Sequence, residues 1–153
     1  MVNETQTPEL QLEKLGITLG TPRSAVGNYV SCVRAGNLIF TSGQGVDQYY
    51  GKLGADLTVE DGYAASRQSM INLLTVLKHE LGDLSKVKRI VKILGMVNSA
   101  PDFTQQPKVI NGASDLLVEV FGEKGKHARS AVGMAQLPNN TAIEIEMIVE
   151  IEE

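Results

Sequence analysis

Two residues toward the C-terminal end raise the chemical question first. Arg129 opens the segment Arg129 to Gln136, in which Ala131, Gly133 and Ala135 share its face. A guanidinium standing over minimal side chains has room beside its planar fork. That suits a small carboxylate held by two parallel hydrogen bonds. The plainer account is a surface arginine paired with a glutamate of the next strand, an arrangement that is common and weak. Glu144 follows the turn Leu137-Pro138-Asn139-Asn140, on what reads as the adjacent strand. A carboxylate near a bound anion and an arginine can take a proton from water or return one. Glu146, Glu150 and Glu152 share its side, however, so alternation alone does not lift it out of a solvated strand face. On pattern alone the plainer account leads at both positions.

Other side chains carry similar pairs of readings. Phe40-Thr41-Ser42-Gly43-Gln44 ends a strand in small and polar groups, which fits a ligand contact at Ser42 as well as an ordinary strand-to-loop transition. Tyr29 is either an amphipathic side chain at a strand start or a phenol pointed into a site. Asn111 is a polar flank of a helix or part of the same site. His127, two residues before Arg129, can share its face and reads as a modulator and no more. Cys32 reads as a small hydrophobe in a strand, since no basic partner is close in sequence. Ser42-Gly43-Gln44-Gly45 lacks the glycine spacing and the Lys-Ser/Thr of a phosphate loop.

These residues need elements to hold them. Thr7 and Pro8 start a short helix that Gly16 stops, and residues 17 to 28 read as an irregular arm. Residues 1–23 are therefore expected to form an N-terminal helix and arm on a domain of residues 24–153. Tyr29 to Val33 and Asn37 to Thr41 look like two strands joined at Arg34-Ala35-Gly36. From Val59 to Leu81, Tyr63, Met70, Leu74, Leu77 and Leu81 fall on one helical face. Lys86 to Val97 is rich in Val and Ile and reads as a strand. Pro107 to Phe121 is the best helix, with Val109, Ile110, Ala113, Leu116, Leu117, Val120 and Phe121 in one stripe. Ile143, Ile145, Met147, Val149 and Ile151 alternate with Glu144, Glu146, Ile148, Glu150 and Glu152, a strict period of two. The turn at Pro138 predicts a C-terminal hairpin of this strand with Arg129 to Gln136. The order strand pair, helix, strand, helix, strand pair suits an α+β domain: one sheet with both helices on one face.

Composition sets the outer limits. The chain has 153 residues, 42% of them hydrophobic and 21% charged. No hydrophobic run exceeds three residues, as in Leu38-Ile39-Phe40, so neither a membrane span nor a signal-peptide core is expected. Fourteen basic against eighteen acidic residues give a net charge of −4, which argues against a nucleic-acid surface. One cysteine and two histidines cannot build a structural zinc site or a disulfide framework. The reading is a cytoplasmic-type domain whose chemistry comes from Arg, Glu, Ser, Tyr and backbone groups.

The residues so assembled carry a resemblance. Tyr29, Asn37-Leu38-Ile39-Phe40-Thr41-Ser42-Gly43-Gln44, Asn111, and Ala128-Arg129-Ser130 through Leu137-Pro138 to Ile143-Glu144-Ile145-Glu146 resemble the RidA family, also called YjgF/YER057c/UK114. The similarity spans roughly residues 24 to 151. It implies a chorismate-mutase-like α+β fold assembled as a homotrimer, with ligand sites in clefts between subunits. It also implies hydrolysis of reactive enamines and imines, of the 2-aminoacrylate type, to 2-keto acids and ammonia without metal or cofactor. By matching positions, Arg129 would bind the substrate carboxylate and Glu144 would position or activate water. Tyr29, Ser42 and Asn111 would line the pocket. The resemblance thus reverses the reading of Arg129 and Glu144 that pattern alone favours.

There are departures. Ala131 stands where many members have a cysteine, Gly27-Asn28-Tyr29 replaces a common Gly-Pro-Tyr, and Lys126-His127 takes the place of an aromatic-proline pair. An N-terminal extension from Met1 to about Leu19 adds to these, and together they mark a distinct branch whose pocket shape sets its own substrate. Two other functions compete with the deaminase: a non-catalytic small-ligand-binding or regulatory trimer, and an endoribonuclease or translation inhibitor. Net charge and the lack of a base-stacking aromatic cluster argue against the last. The pairing of Arg129 with Glu144 favours turnover over simple carboxylate capture.

Overall fold

The computed structural model describes residues 7–25 and 27–153; the first six residues of the expected N-terminal segment lie outside them. Thr7 caps α1 (Pro8–Lys14) by accepting from the Leu10 N–H, as its sequence predicts. Glu9 then ties this helix down, accepting from the Leu84 N–H at 2.6 Å and from Lys78 at 3.2 Å. Strands β1 (Cys32–Ala35) and β2 (Leu38–Thr41) form a hairpin as expected, but Arg34 and Ala35 belong to β1, Tyr29 lies ahead of it, and the turn is at Gly36-Asn37, with Gly36 supplying the positive φ. Helix α2 (Val59–Leu81) has the predicted bounds and starts in a capping box between Thr58 and Asp61. Strand β3 (Val87–Asn98), helix α3 (Gln106–Phe121), strand β4 (Ala128–Met134) and strand β5 (Ile143–Ile151) complete the chain.

The sheet order is β1-β2-β5-β3-β4. This corrects the expected C-terminal hairpin. Strand β4 pairs with β3, in parallel, and β5 inserts between β2 and β3, antiparallel to both. The reason lies in α3: a strand–helix–strand connection returns the chain parallel to its first strand, and β4 takes the place beside β3. The turn at 138–140, with Asn139 and Asn140 at φ 57° and 58°, then does not close a hairpin. It carries the chain past β3 to its other side, where Thr141 bridges Tyr50. Lys88 and Lys92 accordingly lie on an inner strand.

One face of the sheet holds the core. Ile143, Ile145, Met147, Val149 and Ile151 are buried beneath both long helices, against residues such as Leu73, Leu74, Leu116 and Leu117. The helices approach closely at Gly112, where a Cβ would lie 2.1 Å from the Tyr63 carbonyl oxygen. Ser66 seals that crossing, donating to the Val109 carbonyl at 2.7 Å and accepting from the Ala113 N–H at 3.0 Å. The opposite face carries Phe40, Leu94, Met96, Val132 and Ile148, half-buried or exposed. No element of the described residues covers it.

Candidate active site

Arg129 is on the helix face of the sheet. Its register neighbours are Ile93 and, one strand further, Met147, both buried under the helices. Because β4 is the edge strand, the side chain reaches out beside α3 instead of into the core. Its Nη1 donates to Asn111 Oδ1 at 2.9 Å and to Ser114 Oγ at 3.0 Å, and its Nη2 donates to the Pro107 carbonyl at 3.2 Å. Pro107, Asn111 and Ser114 follow the i, i+4, i+7 spacing of one helical face. Three of the five N–H donors are used, leaving the Nε–H and the second Nη2–H. Every acceptor is neutral, and among the described residues no carboxylate pairs with this guanidinium. It is oriented without being neutralised, which is what an anion site requires.

Glu144 lies on the other face, in register with Met96 of β3 and, beyond it, Val132 of β4. The β2–β5 ladder breaks beside it. Past Phe40, the Thr41 hydroxyl takes over by accepting from the Met147 N–H at 3.0 Å, and pairing resumes only at Gln44 with Ile145. Ser42 and Gly43 bow out between these two points. Gly43 passes so close that a Cβ there would sit 2.8 Å from Glu144 Oε2. The carboxylate borders a cleft of about 430 Å³, lined by Arg23, Tyr29, Gly43, Tyr50, Asn139 and others. Burial, with a smaller contribution from the neighbouring charge of Glu146, pushes the Glu144 carboxyl above the usual carboxylate range. A carboxyl so placed exchanges a proton closer to neutral pH than an ordinary glutamate does.

These two arrangements can be set beside known proteins. The family described as "YjgF/chorismate_mutase-like, putative endoribonuclease" matches residues 9–151. The chain belongs to the YjgF/RutC/RidA family. Protein TCP17 of Trypanosoma cruzi is 46% identical over 146 residues, covering 92% of this chain and 91% of its own. The 2-iminobutanoate/2-iminopropanoate deaminase of Escherichia coli strain K12 is 36% identical over 128 residues, covering 82% and 88%. The crystal structure of a "putative endoribonuclease" from Shewanella oneidensis MR-1 is similar with a TM-score of 0.91 at 38% identity, covering 95% of this chain and 99% of that one.

In this RidA-family chain the five residues predicted for one site fall into two groups. Arg129 and Asn111 touch each other. Tyr29 and Glu144 line the cleft on the far side of the sheet. Ser42 does not itself line that cleft, although its neighbour Gly43 does; the Ser42 hydroxyl donates to the Val30 carbonyl at 2.6 Å. From the register, the Cα atoms of Arg129 and Glu144 are two strand spacings and three residues apart, roughly 14 Å. The row Ala131 and Gly133 makes room for α3: Gly133 faces the Gln106 amide, and Gly95, beside Ala131, faces Ile110. Sequence reasoning missed Ser114 and the Pro107 carbonyl as partners of Arg129, although helical spacing from Asn111 points to both. It also missed Arg23, which lines the cleft and pairs with Asp47 at 2.9 Å.

Among the described residues, no group of three or more His, Cys, Asp or Glu is placed to hold a metal ion. No helix there is long and apolar enough to cross a membrane. Burial and the adjacent Glu80 push the Cys32 thiol up, which disfavours its thiolate.

Proposed function

We propose that this chain hydrolyses reactive enamines and imines bearing a carboxylate, of the 2-aminoacrylate type, to 2-keto acids and ammonia. It does so as a cytoplasmic homotrimer of RidA-like domains (residues 24–153, with 1–23 as an N-terminal helix and arm). Each site joins Arg129 and Asn111 of one copy to Tyr29, Ser42 and Glu144 of the next. The observation that carries the reading is the division of these residues. One half-site offers an oriented, un-neutralised cation, and the other offers a proton-exchanging carboxyl in a cleft. A small imine cannot touch both across one subunit's sheet. The uncovered apolar face of the sheet supports association, since surface of that kind is buried in partner contacts. The family relatives named as iminobutanoate deaminases support the substrate class.

The chemistry follows from the two halves. The free Nε–H and Nη2–H of Arg129 hold the substrate carboxylate and fix the imine carbon. Glu144 takes a proton from water as the oxygen adds to that carbon. It passes that proton to the imine nitrogen, which gives a carbinolamine; it then takes the hydroxyl proton and delivers it to the amino nitrogen as the carbon–nitrogen bond breaks, so that ammonia leaves and the keto acid remains.

A mixing experiment tests the reading. Arg129→Ala and Glu144→Gln proteins, each inactive alone, are dissociated, mixed in equal amounts and reassembled. Imines are then supplied by an amino-acid oxidase acting on several amino acids. In a closed ring, a site with both halves intact arises at about one interface in four, so about a quarter of wild-type turnover should return. No recovery from well-folded mixed trimers, or a stable monomer at micromolar concentration, would overturn the composite site. Wild-type protein that binds pyruvate without accelerating imine hydrolysis would make it the ligand-binding trimer instead.

A further inference from the structure

His127 is a titratable side chain beside Arg129 that the proposed reaction leaves unused. Its Nδ1 lies 2.6 Å from the Gly125 carbonyl oxygen, and its Nε2 lies 2.9 Å from Ser114 Oγ. A carbonyl oxygen only accepts, so in the neutral ring Nδ1 carries the proton and Nε2 accepts from the Ser114 hydroxyl. That fixes the hydroxyl proton, which in turn leaves the Ser114 lone pairs facing the Arg129 Nη1–H at 3.0 Å. The direction of every bond from Gly125 to Arg129 is thereby determined. The far end is rigid as well: Gly125 is buried against α3, and a Cβ there would lie 2.1 Å from the Leu117 carbonyl oxygen. The Gly125 carbonyl is a fixed acceptor because only glycine fits that contact.

We infer that His127 and Ser114 are positioning residues for the carboxylate anchor, orienting the Arg129 guanidinium through a one-way chain of hydrogen bonds from the Gly125 carbonyl. The inference rests on the reading of Arg129 as the anchor. Without the ring, the Ser114 hydroxyl is free to turn its proton toward Nη1, and a donor then faces a donor. Asn111 and Pro107 still hold the guanidinium, but they sit toward one end of its reach along α3. The third acceptor takes the second hydrogen of Nη1, so both hydrogens of that nitrogen are held and the open fork stays aimed outward. A loosened fork loses pre-organisation, which weakens carboxylate binding more than it slows the later proton transfers.

The test compares wild type with Ser114→Ala, His127→Leu, His127→Gln and Arg129→Lys. Imine turnover is followed in the oxidase-coupled assay, pyruvate binding by calorimetry, and the Arg129 guanidinium by nitrogen-15 NMR. Ser114→Ala should raise KM and the pyruvate Kd roughly tenfold, as loss of a hydrogen bond to a charged group does, with kcat changed less than about twofold. His127→Leu should follow it, and His127→Gln should recover most of the loss because its amide offers one donor and one acceptor. The two Nη1 hydrogens of Arg129 should give separate signals in wild type and His127→Gln and averaged ones in Ser114→Ala and His127→Leu. Unchanged KM in Ser114→Ala and His127→Leu, averaged signals already in wild type, or glutamine no better than leucine would each overturn the inference. Failure of the deaminase reading looks different: no turnover by wild type, with the NMR arm still reporting whether the chain orients Arg129.

Discussion

Arg129 is held by three acceptors from a single helix, whereas Glu144 is bordered by an arm, a loop after β2 and the turn before β5. The first group depends on α3 packing against β4 and α2, so its geometry is set by the core. The second depends on where the sheet ladder lapses between Thr41 and Gln44. A carboxylate is common to every substrate of the proposed class, and the part proposed to recognise it is built on rigid elements. Around Glu144, the half-exposed Tyr29 and Tyr50 can vary without disturbing the core, so the fit to the remainder of the substrate is expected to reside there.

The largest effect should come from the rigid half. Arg129→Lys keeps the charge but has no fork and cannot satisfy three acceptors on α3 while presenting two donors outward. Its kcat/KM should fall roughly 10³-fold for a carboxylate-bearing imine, as for a charge pair that loses one partner's geometry. Steady-state kinetics across several imines checks this, and a lysine variant with normal kinetics would place the carboxylate elsewhere.

Glu144→Gln comes next, with a loss of roughly 10²-fold in kcat and little change in pyruvate affinity, whereas Glu146→Gln should do far less. There is a pH signature. Burial raises the folded-state pKa of Glu144, so folding favours its protonated form. Its unfavourable contribution is absent below the ordinary carboxylate pKa and grows as pH rises through the folded value. Glu144→Gln should therefore raise the melting temperature at neutral pH, and that gain should vanish in acid. A constant difference at every pH would show that packing, not charge, is responsible.

A pair of glycine variants gives the sharpest contrast at the smallest scale. Gly112→Ala forces the two long helices apart beneath the Arg129 half and should cost about 3 kcal/mol of stability by denaturant titration. Gly43→Ala meets only the end of a flexible side chain, Glu144, and should leave stability nearly intact while lowering turnover roughly tenfold by displacing the carboxylate. If the two swapped behaviours, the assignment of rigid and adaptable halves would be reversed.

The elements were legible in the sequence where periodicity is strong. Helix α2 runs over the predicted Val59–Leu81, and β5 shows the buried alternation of its sequence. Pairing was not legible, because alternation says which face a residue occupies and nothing about its neighbours. The turn Pro138-Asn139-Asn140 looks like a hairpin turn, yet the strand–helix–strand run through α3 had already assigned β4 to β3. The same blindness touched the site. Arg129 and Glu144 were found through the family pattern, but their placement on opposite faces depends on sheet order. Ala131 and Gly133 read as space for a ligand because the sequence does not say that α3 fills it.

Strand β5 has a consequence for how the protein is made. During synthesis it is the last of the five strands to appear, yet its place is in the middle of the sheet. Until residues 143–151 leave the ribosome, the β1–β2 hairpin and the β3–β4 pair have no strand between them, and both expose unpaired edges. Closure therefore relies on contacts between distant parts of the chain, which form slowly. Glu144 rides on this strand, so the cleft comes into being at the moment the nascent chain completes its fold, and a chain halted before β5 would be both open-edged and chemically blank.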